Sequence, residues 1–305
     1  MAPSPPIVQT CLTPAQTYSE VVFYGRHKTH AKTWKLLVSA LSGGIWIGVF
    51  GHCCTLGAGK TYNPLDATSY GFASFLYAAL FPGAFASIIY TGSDLFTSNT
   101  VAMTLNCVED HFSLRSFAQL FRVWGCSFFG NYAGAALYAA IFSYLGGGFP
   151  EASAQWKFLC TLSEHKVHDD WLAIFVNAIG CNICVTVATW CCFFAKDVAG
   201  KFLCIWFPVA GFCVGGFQHV VANMYTLSAA GMMGCNVSAF DVIVKNIIIC
   251  ALGNAVAGCF VTGAIWALMY GGQVTSDYDL INQYNRIKEK RELILASSSS
   301  SESSV

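Results

Sequence analysis

Thr91-Gly-Ser-Asp-Leu-Phe-Thr-Ser-Asn99 interrupts one long apolar stretch of the chain, and Gly215-Gly-Phe-Gln-His-Val-Val-Ala-Asn223 interrupts another. In both segments, glycine and polar side chains stand where the neighbouring residues would otherwise continue a membrane-spanning helix. Lipid offers no hydrogen-bond partners, so a helix breaks at that depth only where its backbone faces protein or a water-filled cavity. The two segments therefore predict a pair of broken helices inside a membrane protein.

The composition of the 305-residue chain supports this interpretation. Hydrophobic residues make up 55% and charged residues only 10%, and the mean hydropathy is +0.53. A soluble domain has roughly 25% charged residues. With 16 basic and 16 acidic residues the net charge is zero, so no basic excess is left for a nucleic acid. The composition thus excludes a soluble globular protein and gives no reason to expect a nucleic-acid partner.

Six stretches without Asp, Glu, Lys or Arg are each long enough to cross a bilayer, which needs roughly 20 residues of helix. They cover residues 36–59, 67–93, 123–150, 171–195, 202–240 and 246–276. The fifth stretch would be about 58 Å long as a single helix, nearly twice the hydrocarbon thickness, so it must break. We therefore predict an all-α membrane protein with six transmembrane helices, embedded in a lipid bilayer.

Basic residues predict the orientation of these helices. In an alternating-loop arrangement, twelve of the sixteen Lys and Arg residues fall on the side of the N-terminus. Because such residues stay preferentially in the cytoplasm, we expect cytoplasmic termini: an N-terminal segment 1–33, a transmembrane domain 34–270 and a tail 271–305 with a disordered serine-rich end. The start of the chain lacks a basic region before an apolar core, so we expect the first span to direct insertion.

Most of the fifteen cysteines lie inside the apolar stretches, where cysteine packs as a small hydrophobic residue. Cys181 and Cys184 form a CxxC motif, but no second pair and no histidine stand at a spacing typical of zinc. We therefore expect no metal site and no cofactor.

The two halves of the chain share a skeleton. Asn99 precedes a Gly-Asn pair ending at Asn131 by 32 residues, and Asn223 precedes one ending at Asn254 by 31. Since each unit contains three spans, the second unit inserts upside down, which gives an inverted 3+3 repeat. Two interruptions at corresponding positions of such a repeat indicate a transport site near the midplane, although a single glycine-rich kink would be typical of packing.

The chemistry of such a site follows from the helix ends. Each half-helix restarting near Asn99 or Asn223 presents free amide donors and partial positive charge to the centre, and a nearby Asn or Thr side chain can cap it. Two such ends favour an anion. His219 lies within the second break and is suited to reversible proton exchange, with Thr97 as its expected partner across the interface. The alternative is a neutral histidine that only bonds the opposite loop.

The paired segments, with the Gly-Asn pairs behind them, closely resemble the motifs of the formate/nitrite transporter family. The resemblance covers residues 34–270 and is strongest to apicomplexan-parasite members, through Lys166-Val-His168, Gly180-Cys-Asn-Ile183 and Tyr225-Thr-Leu227. It implies an aquaporin-like protomer within a homopentamer, with one pore through each subunit. It also implies transport of lactate, formate and related monocarboxylates together with protons across the plasma membrane.

The resemblance further implies roles for individual residues. His219 would be the central pore histidine, Thr97 its hydrogen-bond partner, and Lys166 an attractor of anions in the outer vestibule. Taken alone, Lys166 would be typical of a lysine snorkelling at the membrane interface, and pore aromatic residues would be typical of core or lipid-facing packing. The implied constrictions are Leu95, Asn182 and Val185 on the cytoplasmic side, and Phe81, Phe85 and Phe212 on the outer side.

Two positions depart from the pattern of the family. Gln218 stands where many members carry a glutamate, so a mechanism that needs this carboxylate is in doubt here. Ser98 stands where a glycine is common, and we hypothesise that its hydroxymethyl group narrows the intracellular access to the break and changes the binding of bulky blockers. Affinity for such a blocker in Ser98→Gly, compared with the parent, tests this.

A carboxylate would cross two apolar constrictions as the neutral acid, because moving a bare charge into a low-dielectric slit is far more costly than moving a hydroxyl and a carbonyl. Its bulk pKa is close to that of aspartate, about 3.9, so a proton must be supplied on the way, from water or from His219. The attraction of Lys166 for the anion would act before this protonation.

Alternatives from within and outside this class remain. A formate/nitrite anion channel of the same fold would carry charge, and a neutral-solute channel would show no pH dependence. An intramembrane enzyme would need a nucleophile beside His219, and Cys213, the cysteine nearest the breaks, lies about six residues upstream. We therefore expect no enzymatic activity. A scaffold or receptor would show no substrate flux.

Overall fold

A computed structural model describes residues 10–272 and Val274, and this part of the chain is helical apart from turns and one short bridge. The helices are α1 Pro14–His30, α2 Thr33–Gly59, α3 Ala67–Leu80, α4 Pro82–Thr91, α5 Phe96–Glu109, α6 Leu114–Tyr138, α7 Ala154–Val167, α8 Trp171–Phe194, α9 Val198–Val214, α10 Val220–Met232, α11 Ile249–Val256 and α12 Ala264–Tyr270. There are also three π-helical segments. Ala139–Leu145 continues α6, whereas Asp241–Ile248 and Ala257–Gly263 join α11 and α12 into the last span, Asp241–Tyr270. The predicted disordered serine run lies outside the described residues.

These helices form the six predicted spans. Within the described range, four continuous helices are long and apolar enough to cross a membrane: Thr33–Gly59, Ala67–Thr91, Trp171–Phe194 and Asp241–Tyr270. The other two crossings are α6 with its π-helical extension, and α9 together with α10. The prediction of an all-α membrane protein with six spans is confirmed.

Both predicted breaks are present. Residues 92–95 separate α4 from α5, and residues 215–219 separate α9 from α10. Gly92 and Gly216 turn the chain at these points with φ of +68° and +67°, a left-handed conformation that glycine adopts at no steric cost. The two half-helices α5 and α10 follow the breaks and belong to the two repeats of opposite orientation.

The restart of each half-helix differs in detail from the prediction. The half-helices begin at Phe96 and Val220, three residues before Asn99 and Asn223. Because amide side chains from neighbouring spans accept the first backbone N–H groups, each helix can start earlier than a cap supplied by its own asparagine would allow.

The N-terminal segment is packed onto the spans. Within α1, Tyr18, Val21 and Val22 are buried against α5. Ahead of α1, Leu12 donates its N–H to the carbonyl of Phe194 at the end of α8, at 2.8 Å. The segment 1–33 is therefore attached to the transmembrane body as far as the structure describes it.

Small residues let α2 and α6 approach closely, as is common between helices in membranes. A Cβ at Gly44 of α2 would lie 2.1 Å from the backbone oxygen of Asn131 in α6. Asn131 binds the backbone of the first break, so the close contact between α2 and α6 helps to position that break.

We expect Gly44→Ala to reduce the amount of correctly folded protein, because the added methyl group forces α2 away from α6. Such overpacking lowers the stability of the folded protein by about 1–3 kcal/mol or more. Gly57→Ala in the same helix is the matched control, since a Cβ there meets nothing within 4 Å. The measurement is the yield and melting temperature of the detergent-solubilised protein by size-exclusion chromatography. Equal behaviour of the two variants would contradict the importance of this contact.

Candidate functional site

An asparagine from α6 holds the backbone of the first break. The Oδ1 atom of Asn131 accepts the N–H of Phe96 at 2.9 Å. Its Nδ2 atom donates to the carbonyl of Asp94 at 2.9 Å and to the carbonyl of Ala40 at 2.8 Å. One buried amide therefore caps α5 and satisfies a loop carbonyl that lipid would leave unpaired.

The second break is held in the same way by an asparagine of the last span. Asn254 accepts the N–H of Val220 at 3.0 Å and donates to the carbonyls of Gln218 and Ala178 at 3.1 and 2.7 Å. The inverted repeat seen in the sequence therefore extends to individual hydrogen bonds.

Asn99 and Asn223 stabilise the loops rather than the helix ends. Asn99 Nδ2 donates to Asp94 Oδ1 at 3.0 Å, and Asn223 Nδ2 donates to Gln218 Oε1 at 2.7 Å. Each asparagine thus ties its half-helix back to the residue five positions earlier. The asparagines that accept the first N–H groups of the half-helices are Asn131 and Asn254 of other spans, and not Asn99 or Asn223.

The first break also contains an ion pair. Lys28 of α1 donates to Asp94 Oδ1, and both side chains are buried. The ammonium lies 4.1 Å from the centroid of the Tyr24 ring. Burial lowers the pKa of Lys28, but the Asp94 carboxylate and the Tyr24 hydroxyl together raise it by more, so this pKa lies above the ordinary lysine value. The pair connects α1 directly to the loop of the break.

His219 meets Thr97 where the two breaks face each other. Its Nδ1 atom accepts the N–H of Ala222 at 3.0 Å, which makes His219 the N-cap of α10. Its Nε2 atom lies 3.1 Å from Thr97 Oγ1. Both side chains are buried, and the ring of Phe212 stacks on the imidazole with centroids 5.4 Å apart.

These contacts define which nitrogen of His219 carries a proton. Because Nδ1 accepts a backbone N–H, the proton of the neutral ring is on Nε2, which donates to the hydroxyl oxygen of Thr97. Among the described residues this hydroxyl has no other partner, so its own proton is available to a solute. A second proton on Nδ1 would face the N–H of Ala222, so protonation of His219 requires the loss of the cap bond.

A cavity of about 540 Å³ extends from His219 toward α7. Phe81 and Phe212 line it, with ring centroids 6.4 Å apart in an edge-to-face arrangement, and Tyr77 stacks on Phe81 at 5.2 Å. Phe85 is buried in the same apolar cluster but is not among the described residues that line the cavity. Two of the three predicted outer aromatic residues therefore lie at the cavity.

Lys166 of α7 also lines this cavity. Its Nζ atom donates to the carbonyls of Gly216 and Phe217, at 3.0 and 2.7 Å. These bonds use two of its three N–H groups, and burial lowers its pKa from the ordinary lysine value. The side chain is thus part of the second break rather than a lysine extended along the membrane surface.

The residues predicted to form the cytoplasmic constriction are buried. Leu95 and Val185 belong to the central apolar cluster. Asn182 Nδ2 donates to Thr100 Oγ1 at 2.9 Å and to the carbonyl of Asn254 at 2.6 Å. Its Oδ1 atom is buried and has no hydrogen-bond partner among the described residues. A buried acceptor of this kind is normally satisfied by water or by a bound solute.

Ser98 lies beside this region on α5 and is buried. Thr189 of α8 donates to its Oγ atom at 3.0 Å. The hydroxymethyl group therefore adds a polar contact between the two helices at the position where a glycine would leave space.

Reasoning from the sequence missed two contacts of the site. One is the Lys28–Asp94 pair, for which a signal existed: a carboxylate inside an apolar break needs a buried cation, and basic residues cluster just ahead of the first span. The other is the disulfide bond between Cys160 and Cys235. The predicted topology puts both cysteines on the same side of the membrane, which could have indicated a bond between them. Most other cysteines lie inside the apolar stretches, so this pair did not stand out.

The CxxC cysteines Cys181 and Cys184 are free thiols. Within residues 10–272, no three His, Cys, Asp or Glu side chains come together as metal ligands would.

Two inverted broken helices that meet on a buried polar contact beside a cavity are typical of channel-like membrane transport proteins. The chain belongs to the formate/nitrite transporter family, whose sequence pattern matches residues 15–268. It is 40% identical to "Formate-nitrite transporter 3" of Toxoplasma gondii over 255 residues, which cover 82% of this chain and 50% of that protein. It is 35% identical to the "Formate-nitrite transporter" of Plasmodium falciparum over 255 residues, 81% and 82% of the two chains. The chain spans about half the length of the Toxoplasma relatives.

Solved structures share the fold. An "FNT family ion channel" matches with a TM-score of 0.72 at 21% identity and covers 83% of this chain and 98% of its own. A "Pentameric formate channel with formate bound" matches with a TM-score of 0.65 at 27% identity, over 78% and 97% of the two chains. These matches confirm the predicted fold class, with the inverted repeat inferred from the sequence and the aquaporin-like protomer implied by the family resemblance.

We expect Lys28→Met to destabilise the protein strongly, by about 3–5 kcal/mol, because it leaves the Asp94 carboxylate buried without its cation. Adding Asp94→Asn should recover much of this loss, since the amide still accepts from Leu95 and Asn99 without a charge. The measurement is the melting temperature of the purified protein in detergent, with the exposed Lys32→Met as control. If the single and double variants melted together, the buried pair would not be the cause.

Proposed function

We propose that this protein carries small monocarboxylates such as lactate and formate across the plasma membrane together with a proton. The observation that supports this proposal most directly is the Thr97–His219 contact, in which two buried polar side chains meet next to an apolar cluster that includes Leu95 and Phe212. A Plasmodium relative is named as a formate-nitrite transporter and a solved structure of the same fold as a formate channel, which supports formate as one member of the substrate class. Lactate and proton coupling come from the physical argument and the family resemblance.

The apolar rings favour the neutral acid. A carboxylate passing Phe81 and Phe212 would lose its hydration, whereas the protonated acid would lose only weaker hydrogen bonds. At the centre, the Thr97 hydroxyl can donate to the acid carbonyl, and the unpaired Asn182 oxygen on the far side can accept from the acid hydroxyl. The neutral acid thus finds complementary partners along the path.

We infer that the proton comes from water in the cavity and not from His219. The Nδ1 atom of His219 is occupied by the N–H of Ala222, and loss of the Nε2 proton from a neutral ring would leave an imidazolate. A relay through this ring would therefore require α10 to lose its cap. Lys166 attracts the carboxylate toward the cavity, and desolvation there raises the pKa of the acid so that it takes up a proton from solvent.

The orientation proposed from the basic residues has independent support. Disulfides persist in oxidising compartments and are rare in the cytosol. The Cys160–Cys235 bond lies on α7 and after α10, on the side of the membrane opposite to α1. This arrangement favours cytoplasmic termini and a cavity that opens outward.

We further propose a homopentamer with one pore in each subunit. The solved formate channel is described as pentameric, and this chain shares its fold. Large apolar side chains such as Phe129, Phe207 and Phe260 are exposed on the spans, where lipid or neighbouring subunits would cover them.

We expect His219→Asn to retain uptake that increases as the outside pH falls, with a lower maximal rate because the contact to Thr97 is altered. Radiolabelled lactate and formate uptake at several outside pH values, in the parent and the variant, measures this. Thr97→Val is the matched variant on the other side of the contact. A flat pH profile in His219→Asn with flux preserved would make the imidazole the proton donor after all.

We expect the flux to be electroneutral. An anion crossing alone would respond to a 100 mV potential by about 2.3 kcal/mol, or roughly a 50-fold change in its equilibrium gradient. In proteoliposomes with a potassium diffusion potential, the equilibrium ratio of lactate inside to outside should instead depend on the pH gradient and not on the membrane potential. One charge moved per lactate would favour the anion channel, and flux without pH dependence would favour the neutral-solute channel. No substrate flux at all would favour a scaffold.

A further inference from the structure

Helix α7 lies outside the six spans, yet it contacts both ends of the half-helix α10. At one end, Trp156 Nε1 donates to the carbonyl of Met233 at 2.9 Å, just after α10. One helical turn further along α7, Cys160 is bonded to Cys235. These contacts fix the first half of α7 to the chain that leaves α10.

The other end of α7 is attached to the break that precedes α10. The Lys166 ammonium donates to the carbonyls of Gly216 and Phe217, and its own backbone carbonyl accepts from Asn246 at 2.6 Å and from Gln218 at 3.3 Å. Lys166 is therefore bonded to the residues directly before His219 through its side chain and its backbone.

Lys166 is only partly buried, so its position depends on its carbonyl partners, because a lysine side chain that loses them returns to water at little cost. Lys166 is six residues after Cys160 in the same helix, so a covalent bond at Cys160 limits how far the lysine can move from the break. The side chains of Phe158 and Leu159 pack in the interior beside the disulfide and keep this part of α7 in place.

We propose that α7 is a strap whose Cys160–Cys235 bond holds Lys166 against the second break, and that this bond thereby sets the affinity for the anion at the cavity. Cys160, Cys235 and Trp156 act through Lys166 and are positioning residues. The proposal rests on the proposed function for its transport measurement, but the position of the strap can be measured without transport.

The transport test is a double-mutant cycle on the full chain in proteoliposomes. Removal of the disulfide by Cys160→Ser with Cys235→Ser should raise the KM for lactate about threefold, with a maximal rate close to that of the parent. The same change in a Lys166→Met background should leave KM unaltered, since the charge it positions is gone. Cys11→Ser, an exposed free cysteine far from α7, is the control.

Two outcomes would overturn the proposal: an unchanged KM after removal of the disulfide, or an equal rise in KM in both backgrounds. If the serine variant does not fold, the purified parent can be treated in proteoliposomes with a membrane-impermeant reductant, with KM measured before and after.

A second measurement does not depend on any substrate. Hydrogen–deuterium exchange of the segment 214–219 should become faster on reduction of the parent, and exchange in α5 should stay the same. Unchanged exchange in 214–219 would refute the strap even if lactate uptake responded. Faster exchange in a protein that carries no lactate would leave the strap intact and refute the proposed substrate instead.

Discussion

The whole arrangement depends on satisfying the backbone of two helix breaks at a depth where water is scarce. An unpaired amide or carbonyl buried there costs several kcal/mol, so a break exists only if other side chains complete its hydrogen bonds. Asn131 and Asn254 do this for the two loops with the same pattern of contacts.

Each asparagine follows a glycine that lets its span approach a neighbour closely. A Cβ at Gly130 would meet that of Ala40 at 2.5 Å, and one at Gly253 would meet the backbone oxygen of Phe175 at 2.5 Å. The Gly-Asn pairs are thus the means by which each span reaches its break.

Much of the fold was visible in the sequence because lipid removes most alternatives. An uncharged stretch longer than the bilayer is thick has to break, and glycines beside polar residues mark where. The number of residues between Asn99 and Asn131 is nearly the same as that between Asn223 and Asn254, and this similarity was enough to identify the inverted repeat. The exact helix starts at Phe96 and Val220 were not predictable from this, because they depend on acceptors supplied by other spans. Local capping rules do not contain that information.

The site could be predicted in its centre and not at its edges. His219 and Thr97 were expected to meet because the breaks occupy corresponding positions, and they lie 3.1 Å apart. The sequence could not reveal that Nδ1 of His219 is occupied by the helix it caps, which changes the chemical role open to the ring. Nor could the sequence show that Phe85 does not line the cavity, since the sequence alone does not tell which face of a span points toward it. Long-range partners such as Lys28 with Asp94 and Cys160 with Cys235 are separated by 66 and 75 residues and bring segments outside the spans into the site.

The two breaks share a backbone pattern but differ in the charges that lie beside them. In the first break the Asp94 carboxylate is neutralised by Lys28, so that loop presents little net charge. At the corresponding position of the second break, Gln218 is neutral, and the nearby Lys166 bonds only to carbonyl oxygens there. Carbonyl dipoles stabilise an ammonium without cancelling its charge. The second break therefore contains no carboxylate that pairs with the Lys166 ammonium, and the acidic side chain that lines the cavity with it is Asp169, just after α7. A glutamate at position 218 would place a carboxylate in the same loop as the Lys166 ammonium and would bring the second break closer to the neutralised pair of the first, so the neutral amide is what keeps the two breaks electrostatically different.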